Sequence, residues 1–109
     1  MNVEQLIKAA DLKPIALPCP EREVSGAYIG DLLSWVMGRA SEDNAWITIM
    51  SNSNIVAVAT LADVSCIILA EGVVPDDGVL QTADAKGINI LSSGESAYGI
   101  AKKLSKLGL

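Results

Sequence analysis

The sequence of 109 residues contains no histidine and no phenylalanine, and only 4% of its residues are aromatic. The missing histidine removes the commonest general base and the commonest transition-metal ligand. With so few aromatics, the core has to be built from Ile, Leu, Val and Ala, and the apolar fraction of 50% is sufficient for one. This length predicts a single compact domain spanning residues 1–109.

The sequence also lacks a long apolar run and a basic stripe. No segment approaches the roughly 20 apolar residues that cross a bilayer, so no membrane partner is expected. The N-terminal segment MNVEQLIKAA carries Glu4 and differs from a signal peptide, which predicts a cytoplasmic protein. The net charge is −5, and the only local basic group is Lys102, Lys103 and Lys106. Nucleic acid is therefore not an expected partner.

The two cysteines, Cys19 and Cys66, are far apart and form no C-x-x-C motif. Cys66 lies in the apolar segment SCIILA, where it is expected to pack as a small hydrophobic residue. Neither a disulfide framework nor a metal site is predicted.

In the N-terminal part of the chain, the predicted helices and strands do not alternate regularly. Residues 3–10 carry a helical apolar stripe, with Asn2 and Gln5 forming a capping box. The segment Pro14–Pro18 is flanked by prolines and predicts an edge strand. Residues 23–29 are expected to be extended, and Asp31 is expected to cap a helix over residues 32–39.

From residue 45 onward, strands and helices alternate. Apolar runs predict strands, and 3.6-residue periodicity and capping residues predict helices. The strands are expected at 45–50, 65–70 and 88–91, and the helices at 54–63, at 75–86 before Gly87, and at 95–107. This alternation predicts an α/β fold, with a small parallel β-sheet built from βα repeats and flanking helices.

The helix over residues 32–39 is apolar around most of its circumference. A helix that packs only one face against a small sheet needs less apolar surface than this. The surplus suggests that a second partner buries another face of the helix. Together with the apolar run Ile55–Ala59, it predicts a homodimer. Trp35 is either an interface anchor or a core residue. The candidate interface residues are Leu32, Leu33, Trp35, Val36 and Met37.

No catalytic motif is present. The sequence has no G-x-x-x-x-G-K-[ST] phosphate loop and no G-x-S-x-G elbow, and its serines have no histidine as a base. The adjacent acids Glu42-Asp43 and Asp76-Asp77 are expected to lie at helix ends, and their spacing matches no calcium loop. No catalytic residue, cofactor or metal is predicted.

The polar residues that follow the three regular strands are the best candidates for a ligand site. Parallel strands bring such loops to one edge of the sheet. The stretch Ser51–Asn54 predicts helix capping first and ligand binding second. Glu71 would repel a phosphate, which favours a ribose or an amide-bearing ligand. The candidate ligand residues are Ser51, Asn52, Ser53, Glu71, Gly72, Ser93 and Gly94.

Three segments resemble the DRTGG domain family: GDLLSWVM, AWITIMSNSNIVAVATLADVSCIILAEGVVPD and GINILSSGESAYGIAKKL. The resemblance covers residues 1 to about 107 and rests on the order and spacing of elements. It implies a fold similar to the N-terminal domain of HPr kinase/phosphorylase. The stretch Ser51–Asn54 lacks the Asp and Arg that many members carry there, so no anion-binding role is transferred to it.

The resemblance implies a non-catalytic regulatory and dimerisation module. Similar domains occur with CBS modules in regulated pyrophosphatases, so the expected ligand is a small molecule such as a nucleotide. One alternative is a protein–protein adaptor for a signalling ATPase or a hydrogenase-type partner. A small enzyme using Ser, Asp or Glu is the other alternative.

Overall fold

Strands and helices alternate along the chain, and the computed structural model describes residues 1–109. The first half contains α1 (Val3–Ala9), β1 (Lys13–Ala16), β2 (Gly26–Ile29), α2 (Leu33–Arg39) and β3 (Asn44–Thr48). The second half contains α3 (Asn54–Ala62), β4 (Cys66–Leu69), α4 (Val79–Lys86), β5 (Asn89–Ser92) and α5 (Ala97–Lys106).

The strands form one five-stranded sheet in the order β1-β5-β4-β3-β2. Strands β2, β3, β4 and β5 are parallel, and β1 pairs antiparallel with β5 at one edge. The predicted α/β fold and the edge strand around Pro14 are confirmed. The segment predicted only as extended contributes β2, a further parallel strand at the opposite edge. Its short sequence GAYI becomes a strand by pairing with β3.

Helices cover both faces of the sheet and enclose two apolar clusters. Helices α2, α3 and α4 pack on one face, where Trp46 is fully buried and its Nε1 donates to the Gly30 carbonyl at 2.9 Å. Helices α1 and α5 pack on the other face, which includes Cys66 as a buried, free thiol. The predicted packing of Cys66 is confirmed. Burial of Ile55, Val56, Val58 and Ala59 corrects the prediction that the run Ile55–Ala59 offers a partner surface.

The start of α1 and the end of α4 agree with the sequence, whereas the starts of α2 and α4 differ. The Asn2–Gln5 capping box is present, and Gly87 ends α4 with φ 73°. Asp31 does not cap α2, which begins after Leu32 without a side-chain cap. Helix α4 begins at Val79, later than predicted, because Gly78 at φ 86° interrupts the helical backbone.

Arg22 joins two turns at the edge of the sheet opposite the carboxyl ends of the parallel strands. Its guanidinium donates to the carboxylates of Asp43 at 3.0 Å and Asp63 at 2.9 Å, and to the Asp63 carbonyl at 2.7 Å. Asp43 and Asp63 both have positive φ, at 65° and 57°. Burial lowers the pKa of Arg22, but the hydrogen bonds with the two aspartates outweigh it and the net shift is upward. The guanidinium thereby stabilises two turns whose backbone is unfavourable for non-glycine residues.

Candidate functional site

The carboxyl ends of the parallel strands lie along one edge of the sheet, and the loops that follow them are connected by hydrogen bonds. We call this the carboxyl edge; it comprises residues 30–32, 49–53, 70–78 and 93–96. The sequence predicted that the last three loops would meet here. The loop after β2 joins them because β2 is a parallel strand.

Asp31 connects the loops after β2 and β3. Its Oδ1 accepts a hydrogen bond from the Thr48 hydroxyl at 2.8 Å and another from the Ile49 N–H at 3.0 Å. Thr48 is buried, and its hydroxyl also accepts from the Met50 N–H at 3.2 Å. The carboxylate thus binds the end of β3 instead of capping α2.

Ser51 and Asp76 connect the loops after β3 and β4. The Ser51 hydroxyl donates to the Asp76 carboxylate at 3.0 Å, and the Asp76 N–H donates to the Ser51 carbonyl at 2.9 Å. This paired contact uses the polar atoms that Ser51 was expected to offer to a ligand. It also explains why Asp76 lies in a loop and not in the first turn of α4.

Backbone hydrogen bonds connect the loops after β4 and β5. The Glu71 N–H donates to the Glu95 carbonyl at 2.8 Å, and the Gly72 N–H donates to the Ser93 carbonyl at 2.9 Å. Glu71 and Gly72 are consecutive residues with positive φ, at 61° and 68°. Ser93 is buried, and its hydroxyl accepts from the Glu95 N–H at 3.1 Å. These hydrogen bonds therefore hold the loop after β4 against the loop after β5 at the carboxyl edge.

The candidate ligand residues occupy one edge, but most of their polar groups already have partners. The start of α3 differs from the prediction, because Ser53 makes no side-chain cap and Asn52 Oδ1 accepts from the Asn54 N–H at 2.9 Å. The α3 N-terminus therefore presents fewer free N–H groups than expected. Asp31, Thr48 and Asp76 were not in the predicted site. Of these three residues, only Asp31 carried a signal in the sequence, because it closely follows a segment predicted to be extended.

Acidic side chains dominate the electrostatics of the carboxyl edge. The adjacent basic residue is Lys103, whose Nζ is already paired with Glu95 at 2.6 Å. No Lys or Arg belongs to the loops themselves. Negative potential at this edge opposes the binding of polyphosphates. The acidic residues of these loops are Asp31, Glu71, Asp76, Asp77 and Glu95.

A separate open groove of about 680 Å³ lies between α3 and α4. Its lining includes Val56 and Ala57, and Lys86 is its one charged residue. Of the predicted ligand residues, only Ser53 lines it. The groove therefore adjoins the carboxyl edge at Ser53 and otherwise runs along α3 and α4.

The candidate interface residues divide into exposed and buried members. Leu32 is 58% exposed, Trp35 is 52% exposed and Met37 is 46% exposed. Leu33 packs partly against the core, and Val36 is fully buried, so Val36 is a core residue and not an interface residue. The Arg39 guanidinium lies 3.7 Å from the centre of the Trp35 ring and covers part of it. Of the two alternatives for Trp35, the surface position is the observed one.

Two general features of the structure bear on its chemistry. No helix combines the length and the apolar character needed to cross a membrane. No group of three or more cysteine or acidic side chains converges in a way that could hold a metal ion.

Comparison with solved structures identifies a similar fold. The regulatory region of Clostridium perfringens pyrophosphatase, comprising CBS and DRTGG domains in complex with the activator diadenosine tetraphosphate, matches with a TM-score of 0.75. The sequence identity is 11%, and the match covers 94% of this chain and 45% of the other. The chain thus spans less than half of that structure. No curated protein matches the sequence.

A family model identifies the same relationship from the sequence. The DRTGG domain model matches residues 21–107, which is most of the chain. The match includes the four parallel strands β2 to β5, helices α2 to α5 and all the loops of the carboxyl edge, and it excludes α1 and β1. The chain therefore belongs to the DRTGG domain family.

Proposed function

We propose that this protein is a non-catalytic regulatory module that acts by self-association through the exposed side of α2. The observation that carries the proposal is the exposure of Leu32, which directly precedes α2, and of Trp35 in the first turn of that helix. We call this pair the α2 surface. Large apolar side chains exposed together are typical of protein contact sites, and tryptophan is enriched among residues that dominate binding energy.

A regulatory role is supported by family membership and by the similar pyrophosphatase region, which was solved with an activating dinucleotide. A catalytic role has less support. The hydroxyls of Ser51 and Thr48 donate to the carboxylates of Asp76 and Asp31 in two separate pairs, and the chain has no histidine that would complete a catalytic triad.

A small molecule at the carboxyl edge is a second candidate function. The meeting of the loops at that edge supports it. The acidic residues there favour an uncharged group, such as a ribose or an amide, over a nucleotide polyphosphate. This candidate site adjoins the α2 surface, because Asp31 directly precedes Leu32.

Sedimentation equilibrium tests the self-association. At micromolar concentration we expect a particle of twice the chain mass of 11.4 kDa. The Trp35→Ala variant should weaken the dimer at least about tenfold, as truncation of an interface anchor does. Leu61→Ala is the matched control, since Leu61 is a 72% exposed apolar residue on α3, outside the α2 surface.

Three outcomes separate the alternatives. A dimer that is sensitive to Trp35 and insensitive to Leu61 supports the proposal. A protein that remains monomeric at several hundred micromolar contradicts it and favours an adaptor that binds a different protein. If both variants weaken the dimer equally, the contact is not specific to the α2 surface, which contradicts the proposed geometry.

A further inference from the structure

The groove between α3 and α4 is formed by the facing sides of the two helices. On α3, the lining residues Ser53, Ala57 and Leu61 recur every four positions. On α4, Thr82 and Lys86 have the same spacing. Residues four positions apart lie along one side of a helix, so the lining forms two parallel rows. The groove is therefore a trough that follows the helix axes.

The two ends of the trough differ in charge. Helices α3 and α4 follow the parallel strands β3 and β4, so both run away from the carboxyl edge. Ser53 and Leu61 are eight positions apart, which corresponds to about 12 Å along the helix. Lys86 belongs to the last turn of α4. The uncharged Ser53 thus lies at one end of the trough and the positive charge at the other.

The ammonium group of Lys86 has no partner within the protein. It takes part in none of the salt bridges. It is not needed to cap α4, because the Gly87 N–H already donates to the carbonyls of Ala83 and Asp84. The nearby acids Asp63 and Asp84 do not line the groove. This ammonium group is therefore available to an anion in the groove.

The other polar groups near this end favour a carboxylate over a phosphate. The Thr60 hydroxyl donates to the Val56 carbonyl at 2.9 Å, and the Thr82 hydroxyl donates to the Gly78 carbonyl at 3.1 Å. Both hydroxyl protons are thereby used, which leaves Lys86 as the donor at this end. A bound phosphate normally needs several donors, whereas a monoanionic carboxylate can be satisfied by one ammonium group.

We infer that the groove binds a small aliphatic monocarboxylate, with its carboxylate on Lys86 and its chain along Val56, Ala57 and Leu61. The inference goes beyond the proposed self-association and does not rest on it. An extended chain of about eight carbons matches the length of the trough. A mostly apolar lining with one charged group that fixes orientation is typical of small-molecule sites.

A titration of the ¹⁵N-labelled protein with sodium octanoate, followed by NMR, tests the site. We expect a Kd below about 1 mM, with amide shifts at Ala57, Thr82 and Lys86. Lys86→Gln should weaken binding at least about tenfold, because the charged hydrogen bond is lost. Lys106→Gln is the matched control. It removes an exposed lysine of α5, outside the groove, and should leave the affinity unchanged.

A second pair of variants tests the position of the chain. Ala57→Leu fills the middle of the trough without changing its charge and should weaken octanoate binding at least about fivefold. Leucine and alanine both favour helices, so α3 should remain intact. Ala85→Leu adds the same side chain at an exposed position of α4 outside the groove and should have no effect.

Each result supports or overturns the inference. Octanoate binding that depends on Lys86 and Ala57, and not on Lys106 or Ala85, supports it. Octylammonium has the same chain with a positive charge, so equal binding of octylammonium and octanoate would overturn the role of Lys86. Full affinity of Lys86→Gln would do the same. Amide shifts confined to residues outside the groove, or no shifts at about 10 mM octanoate, would overturn the site itself.

Discussion

The Asp31 carboxylate, in the loop after β2, accepts a hydrogen bond at 2.8 Å from the hydroxyl of the buried Thr48 at the end of β3. Asp31 also directly precedes Leu32, at the start of the proposed contact surface. One side chain therefore connects the end of β3 to the segment that leads into α2. The carboxyl edge and the α2 surface are physically connected at this residue.

Replacing Asp31 by Ala should destabilise the protein by about 1–3 kcal/mol, because the buried Thr48 hydroxyl loses its acceptor. Asp31→Asn retains an acceptor oxygen and should cost less. Chemical denaturation measures both. Asp77→Ala removes an exposed carboxylate of the same edge and serves as the control. Equal stability of Asp31→Ala and Asp77→Ala would show that the Asp31–Thr48 hydrogen bond contributes nothing.

Loss of the Arg22 guanidinium should destabilise the opposite edge. Arg22→Ala removes charged hydrogen bonds to Asp43 and Asp63 and should lower the free energy of unfolding by about 2 kcal/mol. Arg22→Lys keeps the charge but cannot reach both carboxylates with the same geometry, so an intermediate loss is expected. Arg39→Ala, which removes a surface guanidinium stacked on Trp35, should cost less than about 1 kcal/mol. Thermal denaturation that ranked Arg39→Ala as the more damaging change would contradict this role of Arg22.

The two thiols should differ in reactivity. Burial raises the pKa of Cys66 to about 12, so its thiolate is almost absent at pH 8. An aromatic disulfide reagent should therefore modify Cys19, which is partly exposed, and leave Cys66 unmodified until the protein unfolds. Fast modification of both thiols in the native protein would show that Cys66 is accessible.

The same shift predicts a pH dependence of stability. The Cys66 thiol ionises near its ordinary pKa of 9.0 in the unfolded chain but only near 12 in the folded one. The unfolded state loses its proton first, so the contribution of this group to stability is complete below pH 9 and declines as the pH rises toward 12. The difference in unfolding free energy between the wild type and Cys66→Ala, measured across this range, should fall. A constant difference would contradict the assignment.

Ligands for the carboxyl edge should be uncharged at the point of contact. ATP and diadenosine tetraphosphate are expected to cause no chemical-shift changes at Ser51, Glu71 or Gly94 below millimolar concentration, because acidic side chains line these loops. A ribose- or amide-bearing compound found by thermal shift should perturb those amides. Glu71→Gln removes one of the repelling charges and should improve any weak nucleotide binding. Tight binding of ATP by the wild-type loops would contradict this expectation.

Much of the fold could be predicted from local patterns. The α3–β4 and β5–α5 units follow from apolar runs and, in α5, from a helical apolar stripe, so the parallel sheet was predictable. The identity of β2 was not, because a four-residue segment with two nearby glycines has little strand preference of its own. Its parallel pairing with β3 depends on a partner that lies more than ten residues away in the chain.

The candidate site was predicted less completely than the fold. The sequence placed Ser51 and Gly72 at one edge because parallel strands share a direction. It could not show that Ser51 would bind Asp76, since 25 residues separate them and either side chain could equally bind water. Likewise, an aspartate before an apolar helix is normally a cap, and only the approach of β3 offered Asp31 a buried hydroxyl as a better partner.

By itself the sequence determined the aliphatic core, the alternation of strands and helices, and the absence of histidine chemistry, because each follows from residue type and local spacing. Only the tertiary structure decided which apolar residues of α2 remain exposed. Val36 and Trp35 are neighbours in sequence, yet the first is fully buried and the second is half exposed. The physical reason is packing: Val36 faces the core cluster that α3 and the sheet form, whereas Trp35 faces away from it, and residue type alone does not specify which side of α2 is covered.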